Sequence, residues 1–564
     1  MRITLPALRR AALVFILVSC SSGTSSNDGS SAVNTGGGGR GGSSSAGGGS
    51  STGGAATSGG SGGQSTTSDA LNPGDANNDA IVAADRDINS SGDSLGNAAG
   101  GSGGSAASGG ALGSGGVLAS GGIVGSGGGS GGSGGQSTLP AGVTALFPAP
   151  GATGVCPDPP LRITFASPPA LGNSGKIQVF TTSGTAVATV DMAAATITDT
   201  VGGTQFILLR PVYVDGNSVV VYLKSKALTY GQTYYVTVDA GAIRPPGGSL
   251  AITGPATWKF TTAAAAPSTL SALTVALDGS GQFCSVQGAT DALPANNSAA
   301  STISIAAGTY HEVMHVANKS NITIHGPDRS KTLIVGTNNN TQQGTSAGTK
   351  NRSLLGFDNT NGLVIENLTI QNLTPQGGTQ AEALRMQNCD KCIVRNSDIW
   401  SLQDTLLWSG RIYAENDLIV GNVDYVWGTG VAYFNKCELR TVGISGGYLV
   451  QARNDVGAYG YVFVDSKLTV DSTSKNNWLA RIDASTYPGS HVAYINCQMT
   501  GIAAAGWNIT GGSSASLRFW EYQSTDASGG SLPVGGRASG SSQISASQAA
   551  SMRDPTVVLA GWQP

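Results

Sequence analysis

The chain runs to 564 residues, too long for a single domain. Its formal net charge is −3 and only 11% of its residues are charged, which excludes the strongly basic balance of a nucleic-acid-binding protein. Of its 85 glycines 39 lie before residue 137, and that stretch cannot bury a core.

Arg9 and Arg10 precede a short apolar run, residues 11–18, that is too short to span a bilayer as a stable anchor. Leu17-Val18-Ser19-Cys20 follows and resembles a bacterial lipobox. That resemblance implies a lipoprotein signal over residues 1–20, lipidation of Cys20, and attachment to the outer membrane or cell surface. Residues 21–137 are nearly all Gly, Ser, Ala, Thr and Asn and read as a disordered tether. Two motifs inside it carry no chemistry. Gly100 to Gly104 fits a nucleophile elbow, with no strand before it or helix after it. Asp75, Asn77 and Asp79 open like a calcium loop, but Ala80 stands where the turn glycine belongs.

Residues 140–263 alternate apolar and polar in short runs such as Leu161 to Phe165, Ser218 to Leu223 and Tyr234 to Val238, with Gly and Pro turns between them. The pattern predicts a β-sandwich of about 120 residues. Phe147 to Ala152, Tyr230 to Tyr234 and Trp258 to Thr262 resemble bacterial Ig-like domains. No acids or histidines cluster there, so the domain reads as a spacer, with carbohydrate binding as the other reading.

From residue 268 to 564 a different pattern takes over: apolar-x-apolar, a polar residue, Asn or Asp, and an apolar position two or three residues on. It centres on Asn367, Asn396 and Asn416, with looser copies at Asn435, Asp465 and Asn496, at intervals of 29, 20, 19, 30 and 31. Periods of this size built from short β-branched strands predict a right-handed parallel β-helix, the longer intervals carrying loops. Asp404 lies eight residues beyond Asn396, and Asp424 eight beyond Asn416. The two carboxylates therefore fall on one face, one coil apart, which points to acid/base or nucleophilic chemistry. Six cysteines remain after Cys20. Cys389-x-x-Cys392 has no second pair to complete a zinc site, and Cys392 and Cys437 fit inward positions. Export permits oxidation of the others. His311, His315, His325 and His491 are scattered and form no triad.

Ordered motifs then accumulate over nearly 300 residues: Gly308-Thr309-Tyr310-His311-Glu312, Gln380-Ala381-Glu382-Ala383-Leu384-Arg385, Gln403-Asp404-Thr405-Leu406, Asp424-Tyr425-Val426-Trp427-Gly428, Gly447 to Arg453, Trp478-Leu479-Ala480-Arg481, Gly506-Trp507 and Phe519 to Tyr522. In this order and spacing they resemble the pectin methylesterases, carbohydrate esterases of β-helix fold. The resemblance implies Asp424 as nucleophile on a C6 methyl ester of galacturonate. It implies Asp404 as general acid and then base, Arg481 as partner of Asp424, and Gln380 and Gln403 as oxyanion donors, with Arg481 and Gln380 also binding substrate. Two carboxylates ~5 Å apart repel by roughly 3 kcal/mol at an effective dielectric of 20, enough to keep one protonated near neutrality. Trp427 replaces the family's phenylalanine and is the first candidate for stacking on sugar. After Arg481 the family's Pro-Trp gives way to Ile482-Asp483, so either another aromatic, Trp478 or Tyr487, supplies stacking or the substrate differs, with partly acetylated or short oligogalacturonides as options. Glu382 puts a charge where the family has an apolar residue. The reading implies pectin as substrate, no metal or other cofactor, and a monomer. A pectate lyase or polygalacturonase on the same fold is the enzymatic alternative, and a catalytically altered surface carbohydrate-binding protein the non-enzymatic one. The sequence carries neither the calcium-binding acid cluster a lyase would want nor a galacturonase's own aspartate motifs, and joint retention of Gln380, Gln403, Asp404, Asp424 and Arg481 speaks against the non-enzymatic reading.

Overall fold

The computed structural model describes residues 139–344, 348–512 and 515–564. Cys20, the apolar run before it and the tether lie outside the described residues. Among the described residues no helix is long and apolar enough to cross a membrane.

The first domain is a sandwich of two four-stranded antiparallel sheets. One orders Val143–Phe147, Leu161–Phe165, Ser218–Val221 and Val212–Asp215; the other orders Lys259–Thr261, Thr233–Val238, Lys176–Thr181 and Ala186–Asp191. Period-two alternation drives the packing: Tyr234, Val236 and Val238 point inward while their neighbours stay half-exposed. Trp258 is fully buried, and its indole N–H donates to the Pro148 carbonyl at 2.8 Å.

The second domain is a right-handed parallel β-helix. Its strands form a composite 17-stranded sheet wrapping two sides and an 8-stranded sheet on the third, with parallel neighbours that stay in register over most of their length. Stacking in register puts like residues over one another inside the coil. Phe434, Phe463 and Tyr494 form such a column, with ring centroids 4.4 and 4.8 Å apart. Cys389, Cys392, Cys437 and Cys497 are free thiols buried in the same interior, and the Cys392 thiol donates to the Thr360 carbonyl at 3.1 Å. They pack as small apolar residues. The C-terminal helices Ala546–Met552 and Pro555–Val558 cover the outer face of one sheet, burying Tyr433, Val462 and Ile495 against Met552 and Leu559.

The repeat has a backbone cause. Asn367, Asn396, Asn416, Asp465 and Asn496 sit in the left-handed region, φ between 49° and 58°, where each coil turns a corner. Asn and Asp tolerate that region because their short polar side chains bond locally, as when Asn416 Nδ2 donates to Asn396 Oδ1 at 2.7 Å. The marker at Asn435 needs correction. Lys436 is the left-handed residue there, φ 55°, while Asn435 sits one place earlier and donates to Glu415 at 2.9 Å. The two central coils are therefore equal in length. A parallel column of left-handed asparagines at Asn318, Asn359 and Asn388 has no regular spacing by which to find it in the sequence.

The two domains are fastened together. Cys156 of the sandwich is disulfide-bonded to Cys284 at the entrance to the solenoid, Cα–Cα 6.0 Å. The next residues form the helix Val286–Ala292, whose unpaired N-terminal amides are satisfied from both sides. Asp158 of the sandwich accepts from the N–H groups of Cys284 and Ser285, and Glu312 of the solenoid accepts from Val286 and Gln287, all at 2.9 Å. Burial pushes the Glu312 carboxyl up to about 7. A hairpin, Thr196–Val201 with Thr204–Leu209, leaves the sandwich and lies on the solenoid. There Phe206 is buried near His315, Gly202 accepts at its carbonyl from the His315 ring at 3.2 Å, and Asn351 donates to the Gln205 carbonyl at 2.7 Å. At Gly202, φ 54°, a Cβ would sit 1.8 Å from the His315 carbonyl oxygen, so only glycine fits the contact. A free-standing spacer is thus not what the sandwich is. His311, stacked on Tyr213 at 4.2 Å, and His315 both belong to this joint.

The disulfide closes a loop spanning 128 residues. Replacing Cys156 and Cys284 together by alanine is expected to lower unfolding free energy by about 2–4 kcal/mol, read by denaturant titration. An unchanged midpoint would show that the helix-capping carboxylates and the hairpin hold the joint unaided.

Candidate active site

The site lies on one face of the composite sheet, where Leu406–Glu415, Val423–Gly428, Tyr448–Ala452 and Trp478–Asp483 succeed one another. Asp404 and Asp424 come just before or inside these strands. Both are left-handed, φ 66° and 47°, so each occupies a corner of its coil. Gln403 bridges in parallel to Val423, and the Asp404 N–H donates to the Val423 carbonyl at 3.0 Å, which fixes the two corners one strand apart. The aspartate corners thus repeat, on the active face, what the asparagines do elsewhere.

Asp424 is 5% exposed and bound by Arg481, whose Nε donates to Oδ1 at 2.9 Å and to Oδ2 at 3.0 Å. Arg481 arrives by register: Trp427 pairs with Gln451, and Val450 with Ala480, so Gln451 and Arg481 fall on successive rungs beside Asp424. Gln451 Nε2 donates to Asp424 Oδ2 at 3.3 Å and is itself held by Arg453, Nε to Oε1 2.8 Å. The Arg481 guanidinium lies over the Tyr448 ring at 4.5 Å.

Asp404 is 7% exposed, and its carboxyl is pushed well above the usual carboxylate range. Burial is the chief cause, opposed by Arg352 and Arg453 and reinforced by the charges of Glu382 and Asp424. The site therefore sets an aspartate paired with arginine beside a second, buried one whose carboxyl is pushed toward its protonated form. Glu382 is fully buried and bidentate with Arg352, whose Nη2 also reaches Asp404 Oδ2 at 2.9 Å.

Gln380 and Gln403 are half-buried and stacked, the Ala381 N–H donating to the Gln403 carbonyl at 3.2 Å. Among the described residues neither side-chain amide is bonded to protein, which leaves both as available donors. The expectation that Trp427 offers a stacking face is corrected. It is only 8% exposed, and the guanidinium carbons of Arg453 and Arg352 lie over its ring at 4.9 and 5.6 Å. Trp478, in register with Tyr448, is half-exposed, as is Tyr487, over which Arg453 lies at 5.2 Å. Ile482 turns into the core and Asp483 caps an exposed turn through Ser485 N–H at 2.9 Å, so neither takes the place of an aromatic.

Sequence reasoning assigned no role to Arg352, Gln451, Arg453 or Tyr448. Gln451 and Arg453 had a signal, two polar residues at period two on one strand. Arg352 had only an indirect one, the unmatched charge of Glu382.

A pectinesterase family model matches residues 272–549, and a bacterial Ig-like domain model matches residues 137–262. Pectinesterase 31 of Arabidopsis thaliana is 30% identical over 223 residues, covering 37% of this chain and 68% of that protein. A pectinesterase of Petunia integrifolia is 34% identical over 168 residues, 29% of this chain and 44% of its own length. Among solved structures, a pectin methylesterase from carrot aligns with a TM-score of 0.46 at 26% identity, over 52% of this chain and 95% of that one. The helix-forming half of this chain, with its paired aspartates, belongs to the pectinesterase family.

Proposed function

We propose that the protein is a pectinesterase that hydrolyses the C6 methyl esters of pectin through an acyl–Asp424 intermediate. The Asp424 carboxylate attacks the ester carbon, and the amides of Gln380 and Gln403 donate to the oxygen on which charge develops. The carbon–methoxy bond breaks, and Asp404 gives its proton to the departing methanol. Asp404, now ionised, takes a proton from water as the water oxygen attacks the acyl carbon. The bond to Asp424 then breaks, restoring the Asp424 carboxylate and a protonated Asp404. Arg481 stays paired with Asp424 throughout, and with Arg453 it offers positive charge to the free carboxylates of neighbouring sugar units. Trp478 and Tyr487 supply the stacking surface that Trp427 does not. One observation carries the reading: Asp424, paired with Arg481, and the buried Asp404 lie on adjacent coils, beside two glutamines whose amides are bonded to no described residue. A lyase or galacturonase has no use for that pairing of an ionised nucleophile with oxyanion donors.

Methanol release from highly methylated pectin tests it. Wild-type chain is expected to release methanol, Asp424→Ala to lose at least about a thousandfold, and Gln403→Ala about a hundredfold or more in kcat. Equal release by Asp424→Ala sinks the assignment of the nucleophile, and unsaturated products absorbing in the ultraviolet would mean a lyase.

We further propose that Cys20 carries lipid and tethers a monomeric enzyme to the outer membrane or cell surface, with residues 21–137 as the leash. The lipobox-like run before Cys20 and the polar composition after it support this. Cys20→Ser is expected to move the protein from the membrane to the soluble fraction; retention in the membrane fraction would rule the anchor out.

A further inference from the structure

Three carboxylates and three arginines meet at the site, Arg453 facing Asp404 without an ion pair to it. Asp424 is matched by Arg481, which leaves Arg352 between Glu382 and Asp404. An arginine facing a buried carboxyl alone favours the ionised form, and a general acid held that way has no proton to give. Here the guanidinium is engaged first by Glu382, through Nε at 2.9 and 3.0 Å and Nη2 at 2.7 Å, with Glu382 wholly buried. Only the remaining Nη2 direction reaches Asp404.

We propose that Arg352 and Glu382 are positioning residues for Asp404: Glu382 neutralises Arg352, so the guanidinium orients the general acid by a hydrogen bond without drawing off its proton. The inference rests on Asp404 acting as the general acid. The same Nη2–H group then stabilises the Asp404 carboxylate once methanol has left. The charged groups facing Asp404 are Arg352, Glu382, Asp424 and Arg453, with Arg481 behind Asp424. Of these, Glu382 and Arg352 face it from outside the strands that carry the nucleophile and its partner. Arg352 ends the short helix Gly348–Arg352, where the neighbouring Asn351 is bonded to the sandwich hairpin, and the guanidinium is backed by Trp427. This explains why a charge at position 382 is tolerated inside an otherwise apolar stretch.

The test is the pH dependence of methanol release by the full chain. Glu382→Gln keeps the shape and an acceptor but removes the charge, so Arg352 turns its charge on Asp404. The alkaline limb of kcat, set by loss of the Asp404 proton, is expected to move at least about one pH unit toward acid. A double variant, Arg352→Met with Glu382→Val, removes both charges. Its alkaline limb is expected to stay within about half a unit of wild type, while kcat falls about tenfold or more and KM changes less than about twofold. An alkaline limb in Glu382→Gln that coincides with wild type overturns the proposal. If that variant does not fold, an unchanged kcat in the double variant overturns it. The carboxyl band of Asp404, isolated as the infrared difference from Asp404→Asn, gives the same titration without substrate. Should the wild type release no methanol, the functional reading fails by itself and the infrared shift still decides this one.

Discussion

Buried charge governs this molecule. Taking carboxylates out of water is costly unless each finds a cation or a proton. On the active face Asp424, Asp404 and Glu382 are all nearly inaccessible, and only Arg481 and Arg352 pair with them directly. Burial pushes the carboxyl of Asp404, the group whose arginine is shared, well above the usual carboxylate range. The proposed division of labour between nucleophile and acid rests on that difference. The partly exposed Arg453 reaches Asp424 through Gln451, and its charge opposes the upward push on Asp404.

The solenoid makes this arrangement possible. A coil that turns at left-handed corners and stacks in register repeats any side chain one strand spacing above the last. Asparagine serves at most corners, where only the turn is needed. Aspartate replaces it at 404 and 424, and the price of the left-handed backbone yields two carboxylates held rigidly in line. Successive rungs then deliver Gln451 and Arg481 to Asp424 without any loop having to close.

The sandwich contributes more than distance. Its disulfide, the Asp158 carboxylate at the first solenoid helix and its hairpin all grip the solenoid. The hairpin holds the segment that ends in Arg352, so part of the catalytic environment depends on the preceding domain. That dependence joins a module usually read as a spacer to the protonation of a side chain in the cleft.

The period, the strand composition and the paired positions of Asp404 and Asp424 were legible in the sequence, because a solenoid translates a local repeat directly into spatial stacking. The sandwich was legible from alternation and turns. Arg481, Gln380 and Gln403 came only through resemblance to a family, since nothing local to them fixes their distance from Asp424. Sequence could not tell Lys436 from Asn435 as the corner, because either can adopt the left-handed region and only the backbone path selects one. It placed Trp427 at the cleft but could not see Arg453 and Arg352 covering its ring. The pairing of Cys156 with Cys284 and the capture of Glu382 by Arg352 were decided by tertiary structure alone, for the partners lie 128 and 30 residues apart on elements that no repeat relates.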